Sequence, residues 1–296
     1  MAVAIIQQEG EAIVQSGFSQ KSEAEPLMRV EKGEALAFLA KRPLHTVYVA
    51  SLISDNGVES PLNRGRLYSY RGSDGQIEGI ALLGHATILE ARSDEALTAF
   101  TKLAQRSDLP HLIRGEETVV SKFWSQYEKS GKQARRICRE LLLEQVAAPE
   151  NIAMTGLRQA TLDDLDSIVA ANAEMARLES GSDPLERDPK GFRSRTACRI
   201  LRGRNWVWRQ NGRLLFKADI IAETPEAVYL EGIYVGPAER GKGNGSLCLA
   251  QLGRILLRKS ASVSLTLNAL RLENLNFYQN VGFRLRSYYD TIYLQQ

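Results

Sequence analysis

Apolar positions change period along the chain, and the changes divide it into segments. Residues 1–28 mix small, polar and charged side chains with no sustained period, so a loosely held segment is expected there. A short helix is expected around Gly33 to Ala40, followed by a polar stretch in which Asn56-Gly57 and Pro61 are turn formers. Leu67 to Tyr70 and Ile77 to Leu83 read as strands joined by Gly72-Ser73-Asp74-Gly75, a hairpin signal. A strand near Ala86 to Leu89 precedes a helix capped by Ser93 and carrying Leu97, Phe100 and Leu103. His111 to Arg114 reads as a strand, Thr118 to Lys129 as a helix and Ile137 to Val146 as a further strand.

Ala147 to Asn151 reads as a linker, because Pro149 disfavours continuation and a new pattern begins after it. Leu157 to Ala160 is a short strand. Thr161 with Asp164 then opens a helix in capping-box fashion, with Leu165, Ile168 and Val169 inside. Asp183-Pro184 interrupts, and a second helix is expected from Phe192 to Leu201. Strands follow at Trp206 to Arg209 and Leu214 to Ile221 around the Asn211-Gly212 turn, and Val228 to Val235 gives the strongest strand pattern. After a glycine-rich loop and a helix come the strand Val263 to Leu267, a short helix ending near Tyr278 and strand segments from Phe283 onward. The expectation is an α/β protein with mixed sheets, divided into an N-terminal domain at 29–148 and a second at 152–296.

Length agrees, since 296 residues exceed what one core usually organises. With 44% hydrophobic and 25% charged residues and no apolar run near the ~20 residues a membrane span needs, a soluble protein is expected. The opening MAVAIIQQEGEAIVQSG lacks the charged start and apolar block of a secretory signal, so a cytoplasmic setting is expected. Cys138, Cys198 and Cys248 are too far apart for a paired-cysteine metal site, and no metal is expected. A net charge of +3 is too small to imply nucleic-acid binding. One basic stretch, with Arg193, Arg195, Arg199, Arg202, Arg204 and Arg209, could meet an acidic partner. A solvated helix face is preferred, because Phe192, Ile200 and Leu201 supply a buried side.

The segment from Ile233 to Gly245 sets glycines between an apolar strand and an amphipathic helix. Such a loop suits a phosphate ligand: glycine lets the backbone approach closely, and free amides at a helix start attract anionic oxygens. Nucleoside-triphosphate loops need glycine-lysine followed by a hydroxyl residue, whereas Lys242 precedes Gly243. Dinucleotide loops need wider glycine spacing and an acidic residue about 20 positions on, and the strand Val263 to Leu267 has no acid.

Arg240, Gly243 and Gly245, with Ile233-Tyr234-Val235 and Pro237 before them and Phe277-Tyr278 and Gly282-Phe283 after, resemble the coenzyme A loop and flanks of the GNAT superfamily of N-acetyltransferases. The resemblance covers about half the chain. It implies a GNAT fold from about Leu157 onward and acetyl-coenzyme A as cosubstrate. It also implies that the amides of Gly241, Lys242, Gly243, Asn244, Gly245 and Ser246 hold the pyrophosphate, with Arg240 at its border. Ile233, Tyr234 and Val235 would bond the pantetheine arm and the thioester carbonyl, and Tyr278 would protonate the departing thiolate. Arg271 stands where the superfamily often has asparagine, and Asn274 lies one turn nearer, so both are candidate contacts to the cosubstrate.

An attacking amine must lose a proton. His45, His85 and His111 all precede the second domain, which disfavours acyl-enzyme chemistry there and favours direct transfer. The foremost base candidate is Glu231, expected to share a strand face with Ile233; Asp219 and Glu223 follow it. A structural glutamate paired with an arginine is the competing reading. The N-terminal domain repeats the strand and helix order of the second half of a GNAT fold but opens its helix with Ser93-Asp94-Glu95, whose charges would repel a pyrophosphate. It resembles the degenerate, GNAT-like N-terminal domain of two-domain bacterial acetyltransferases, with an unrelated α/β domain as the alternative. The acceptor is expected to be a primary amine on a small molecule or a protein lysine, cationic if Glu179, Asp183, Glu186 and Asp188 form its rim. A catalytically silent acyl-coenzyme A-binding module is the alternative.

Overall fold

A computed structural model describes residues 23–107, 110–149, 156–181 and 183–295. In the N-terminal half, β1 (Glu25–Pro26) leads to helices α1 (Lys32–Leu39) and α2 (Pro43–Asn56), then to the strands β2 (Gly65–Arg71), β3 (Ile77–Gly84) and β4 (Ala86–Ala91). Helix α3 (Asp94–Gln105), β5 (Leu112–Glu116), α4 (Glu117–Tyr127) and β6 (Ala134–Gln145) complete it. The C-terminal half repeats the order. It runs β7 (Arg158–Gln159), α5 (Leu165–Ser180), α6 (Pro184–Arg187), α7 (Pro189–Leu201), β8 (Asn205–Gln210), β9 (Arg213–Glu223) and β10 (Ala227–Val235). The helix α8 (Asn244–Leu256), β11 (Ser262–Asn268), α9 (Leu275–Gln279) and β12 (Arg284–Leu294) follow.

The twelve strands among the described residues join one sheet in the order β1-β2-β3-β4-β5-β12-β6-β11-β10-β9-β8-β7. The order is palindromic in role, because β6 and β12 have changed places. The last strand of the C-terminal half pairs with β5 of the N-terminal half through Tyr289↔Glu116 to Tyr293↔Leu112. The last strand of the N-terminal half pairs with β11 through Val263↔Gln145 to Asn268↔Glu140. The two lie antiparallel side by side, with ten paired residues from Arg284↔Glu144 to Leu294↔Ala134. The linker at Ala147 to Asn151, of which Glu150 and Asn151 lie outside the described residues, thus separates two chain segments within one continuous sheet.

On one side of the sheet, α3 and α4 cover the N-terminal half with Phe100, Phe123 and Tyr127 in the core, and α8 covers the other half with Cys248, Leu252 and Leu256. On the opposite side, α1 and α2 pack on Leu67, Ile80 and Leu82. There α7 and α5 bury Ile168 and Ile200 against Val207. Helix α2 lies between the halves: Val49 and Ile53 belong to the N-terminal core, whereas Val47 packs on Ala222, Ala227 and Tyr229 of β9 and β10. The polar stretch expected before Asn56 is this helix. Pro43 opens it, in the first-turn position where a missing amide costs nothing, and two-sided burial removes the narrow apolar stripe that marks a surface helix.

Of the segment 1–28, residues 1–22 lie outside the described residues, and Glu25–Pro26 pairs with Ser69 and Tyr68 of β2 while Leu27 is buried. The capping box expected at Thr161 is present: the Thr161 amide donates to Asp164 Oδ2 at 2.9 Å. Asp164 is fully buried and also accepts from Arg158 at 2.7 Å and Arg209 at 2.9 Å. Burial opposes its charge, but the hydrogen bonds from Arg158, the Thr161 amide and Arg209 outweigh it and hold the carboxyl well below the usual range. A depressed folded pKa stabilises the fold above the unfolded value of about 4, and that contribution fades as pH falls below it. Asp164→Asn is expected to cost about 3 kcal/mol near neutral pH. It should also flatten the loss of stability on acidification, which denaturant titrations at several pH values would measure.

Candidate functional site

Strand β10 pairs with β11 in parallel only from Ala227↔Ser262 to Leu230↔Leu265. Beyond that point the strands part, and β10 from Glu231 to Val235 keeps hydrogen-bonding partners only toward β9. A bulge at Gly232 accompanies the parting. Gly232 has φ +60° and forms a bulge, so the register with β9 jumps from Glu231↔Asp219 to Tyr234↔Lys217. A Cβ on Gly232 would lie 2.7 Å from Lys217 Nζ and 2.9 Å from Asp219 Oδ2, which leaves glycine as the residue the bulge admits.

The bulge corrects one expectation. Glu231 and Ile233 do not share a face, because the extra residue reverses the alternation: Ile233 and Val235 pack against the core under α8, while Glu231 pairs across to Asp219 on the opposite side. Tyr234, opposite Lys217, joins that side after the jump.

At the mouth of the split, the glycine loop turns into α8. Gly241 and Gly243 have φ +76° and +81°, and a side chain on either would meet open space. The amides of Gly243, Asn244, Gly245 and Ser246 find no acceptor among the described residues, so they face outward as a helix N-terminus does. Gly245 has another reason to be glycine. A Cβ there would press on Val235 Cγ2 at 2.7 Å and Phe277 at 3.3 Å, so its lack of a side chain serves strand and helix packing rather than phosphate access. Arg240 donates from Nε to the Val235 carbonyl at 3.1 Å and so ties the loop to the strand end. Glu239 accepts from Asn244 at 2.7 Å and Lys242 at 3.2 Å, and these bonds hold its carboxyl below the ordinary range.

Tyr278, on α9, is half-buried and stacks edgewise on Phe277 and Phe283. Its hydroxyl has no hydrogen-bond partner among the described residues, and burial followed by the charge of Glu179 pushes it up to about 12. It therefore stays protonated at neutral pH. Asn274 is exposed at the start of α9, and Arg271 is exposed beside Glu273 at 3.7 Å.

The floor of the cleft is built by residues from both halves. Arg114, on β5, donates to Glu231 Oε1 at 2.9 Å and to the Tyr229 hydroxyl and Thr266 Oγ1 at 2.6 Å each, and its Nε lies 3.3 Å from Glu140 on β6. Glu140 in turn accepts from Thr266 and, at 2.8 Å, from Thr291 on β12. Burial opposes the Arg114 charge, but Tyr229, Glu140 and Glu231 outweigh it and raise its pKa further. Water reaches Glu179, yet crowding by protein and then the charges of Glu231 and Glu140 push its carboxyl above the ordinary range. Glu231 itself is 41% exposed, so it meets the cleft while holding Arg114. Nothing in the sequence links Arg114 to Glu231; only the exchanged strands bring them together.

The lesser base candidates are occupied. Asp219 holds the fully buried Lys217 at 2.9 Å and the Asn205 amide at 2.7 Å, and burial lowers the Lys217 pKa. Glu223 pairs with Lys259 at 2.7 Å. The acidic rim is also largely spent: Asp183 caps the Leu185 amide, and Asp188 caps the Gly191 amide and pairs with Arg195 at 2.9 Å. The arginine-rich stretch is not a free basic face, since Arg193 pairs with Asp166, Arg199 lies 3.6 Å from Asp219, and Arg204 with Arg202 grips Asp55 of α2. Burial pushes the Cys248 thiol up to about 12, so it is no nucleophile. Among the described residues no group of three histidine, cysteine or acidic side chains could hold a metal, and no helix is long and apolar enough to cross a membrane.

The N-terminal half has the same split, but it is closed. Pairing of β4 with β5 stops at Ile88↔Arg114. In the gap beyond, Arg42 donates to Glu90 at 3.1 Å and to Glu116 at 2.7 Å, while Ser93 and Asp94 open α3 where the other half has glycines.

The profile of the acetyltransferase (GNAT) family matches residues 172–283. No curated protein sequence matches the chain. Among solved structures, a Drosophila protein aligns at 12% identity and TM-score 0.67 over 93% of this chain and 99% of its own. A GCN5-related N-acetyltransferase from Sphaerobacter thermophilus aligns at 12% identity and TM-score 0.59 over 92% and 95%. A tandem GNAT protein from the clavulanic acid biosynthesis pathway aligns at 13% identity and TM-score 0.56 over 92% and 97%. At such identities the likeness concerns the fold.

Arg114→Met would leave Glu140 and Glu231 without their shared cation and the Tyr229 hydroxyl without a donor. A loss of about 3 kcal/mol in unfolding free energy is expected by denaturant titration. Arg114→Lys should recover only part of it, because one ammonium cannot span partners on three strands as a guanidinium does.

Proposed function

We propose, from the match of residues 172–283 to the acetyltransferase (GNAT) family, that the protein moves an acetyl group from acetyl-coenzyme A directly to a primary amine, on a small molecule or a protein lysine. The observation that carries the reading is the conjunction at the end of β10: an unpaired strand edge, a helix start with outward amides, and a protonated, unpartnered tyrosine hydroxyl. Acetyl-coenzyme A acts as cosubstrate, and no metal enters the scheme.

The amides of Gly241 to Ser246, with Arg240 beside them, hold the pyrophosphate, since fixed dipoles at a helix start favour anions without the cost of desolvating a cation. The free edge of Ile233, Tyr234 and Val235 pairs with the amide-containing pantetheine arm as a strand would, and Asn274 borders the same arm. A free amide on that edge faces the thioester carbonyl and stabilises the oxyanion formed when the amine attacks carbon. Collapse of the tetrahedral intermediate breaks the carbon–sulfur bond, and the departing thiolate takes the Tyr278 proton. Glu231 accepts the proton shed by the amine, directly or through a water in the open cleft, with Arg114 fixing its carboxylate. Such chemistry suits a cytoplasmic setting, and the reading keeps the division into domains at 29–148 and 152–296.

Release of free thiol from acetyl-coenzyme A in the presence of an amine panel tests the reading; coenzyme A binding without turnover on any amine would defeat the catalytic claim. Tyr278→Phe is expected to lower kcat about 10²-fold with unchanged cosubstrate affinity. A second contrast separates the glycines. Gly243→Ala should weaken coenzyme A binding about tenfold with a small loss of stability, because the left-handed backbone there costs about 1 kcal/mol for alanine. Gly245→Ala should instead lower stability by about 1–3 kcal/mol through overpacking against Val235 and Phe277. Calorimetry and thermal melts distinguish the two.

A further inference from the structure

Helix α5 crosses the sheet obliquely, and its two ends rest on strands of different halves. Near its start, Ile168 packs on Val207 of β8. At its other end the Glu179 carbonyl accepts a hydrogen bond from Arg136 of β6 at 2.7 Å. Between β8 and β6 stand β9, β10 and β11, and α5 touches the first two on its way. From Ile168 to Glu179 the helix rises ~16 Å at ~1.5 Å per residue. With the reach of an arginine side chain added, that covers the strand spacings of ~4.8 Å that separate β8 from β6.

The strand registers fix where this crossing lies. Val207 stands opposite Lys217, and Lys217 opposite Tyr234, so α5 begins level with the part of β10 that has already left β11. Pairing of β11 with β6 ends at Asn268↔Glu140. Arg136 lies beyond that end, on the same face of β6 as Glu140, because the alternation between them is unbroken. Helix α5 therefore bridges the mouth of the split on the face to which Glu231 is turned. On the other side of Glu231, α2 covers β10, with Val47 packed on Tyr229. Tyr229 and Tyr234 are ~16 Å apart along the strand at ~3.3 Å per residue, and a helix with its side chains is ~10 Å across. Glu231 thus lies in a slot between α2 and α5 about as wide as an alkyl chain. The bridging end is held firmly. The last carbonyls of a helix lack partners within it, and its dipole favours a cation there, so Arg136 satisfies both demands. Gly181, at φ +71°, turns its amide back to the Arg177 carbonyl at 3.0 Å, and Arg177 pairs with Asp183 at 3.3 Å.

We propose that Arg136 latches α5 over the acceptor side of the cleft, so that the acceptor is a slender, unbranched primary amine of a small molecule and lysines on folded proteins are kept out. The inference rests on the acyl-transfer reading of the same cleft and narrows its acceptor. Selection here is by exclusion: two helices deny a bulky amine its approach to Glu231, whichever polar groups it carries. The N-terminal half thereby acquires a role, since it supplies one wall of the slot in α2 and the latch in β6. Arg136 is a positioning residue in this scheme, acting on the acceptor only through α5.

The test compares n-butylamine, 1-adamantylmethylamine and the lysines of folded ubiquitin as acceptors for the wild-type protein, Arg136→Ala and Arg136→Lys. Wild type should prefer n-butylamine to the adamantyl amine by about tenfold or more in kcat/KM and should leave ubiquitin unmodified in mass spectra. Arg136→Ala should bring that preference down to about twofold while leaving the KM for acetyl-coenzyme A in place. Arg136→Lys should restore most of it, because an ammonium can also donate to a carbonyl. A second readout needs no turnover: amide hydrogen exchange in the last turn of α5 should quicken about fivefold in Arg136→Ala, with the first turns unchanged. Acetylation of ubiquitin as fast as of n-butylamine overturns the proposal. So does equal use of the two alkylamines by wild type, or exchange in α5 that Arg136→Ala leaves unmoved. Coenzyme A bound without acetylation of any of the three acceptors, or not bound at all in calorimetry, counts against the acyl-transfer reading instead, and the exchange measurement then still decides the latch.

Discussion

The antiparallel pairing of β6 with β12 is the constraint on which the rest of the molecule depends. Each strand closes the sheet of the other half, so neither half owns a complete sheet, and the polar side chains of five strands meet on one floor. Arg114, Glu140, Thr266 and Thr291 come from β5, β6, β11 and β12, yet they form one hydrogen-bonded patch beneath Glu231. The junction is anchored as tightly at its end. Gln145, the last residue of β6, is fully buried in the C-terminal half, where it donates to the Val281 carbonyl and fills the space a side chain on Gly253 would need.

Set on this frame, two similar splits have diverged. One is held open by a bulge whose glycine leaves room for a buried lysine and aspartate, and it ends at outward-facing amides. The other is filled by Arg42 between two glutamates, with a capping serine and an aspartate where amides would otherwise be free. A half-buried cation between two acids satisfies its own charge, so that split needs no ligand and offers none a place. The duplicated architecture thus separates a half with an open split from a half with a closed one by a handful of side chains.

Much of this was legible in the sequence. Alternation and turn residues located every strand except the two-residue β1, because half-buried strands with solvent-facing residues carry a period of two, and the glycine spacing located the loop. The failures have physical causes. Helix α2 is buried on two sides, so it has no amphipathic stripe to read. The bulge at Gly232 reverses which residues face the cleft, and one glycine in a strand does not announce its sign of φ. Arg114 reads as an ordinary strand arginine, and its partners on β6, β10 and β11 depend on a strand order that no local pattern encodes.

The exchange of β6 and β12 also governs how the chain can reach this state. The partners of β5 on its inner side lie well over a hundred residues downstream, so the N-terminal half must wait, with an open sheet edge, until β12 has been synthesised and has threaded into place. Contacts so distant in sequence slow folding, and an edge exposed for that time invites pairing with another copy of the chain. Expressing either half alone would leave such an edge permanently uncovered, which makes the two halves a single unit of inheritance and of folding despite their duplicated design.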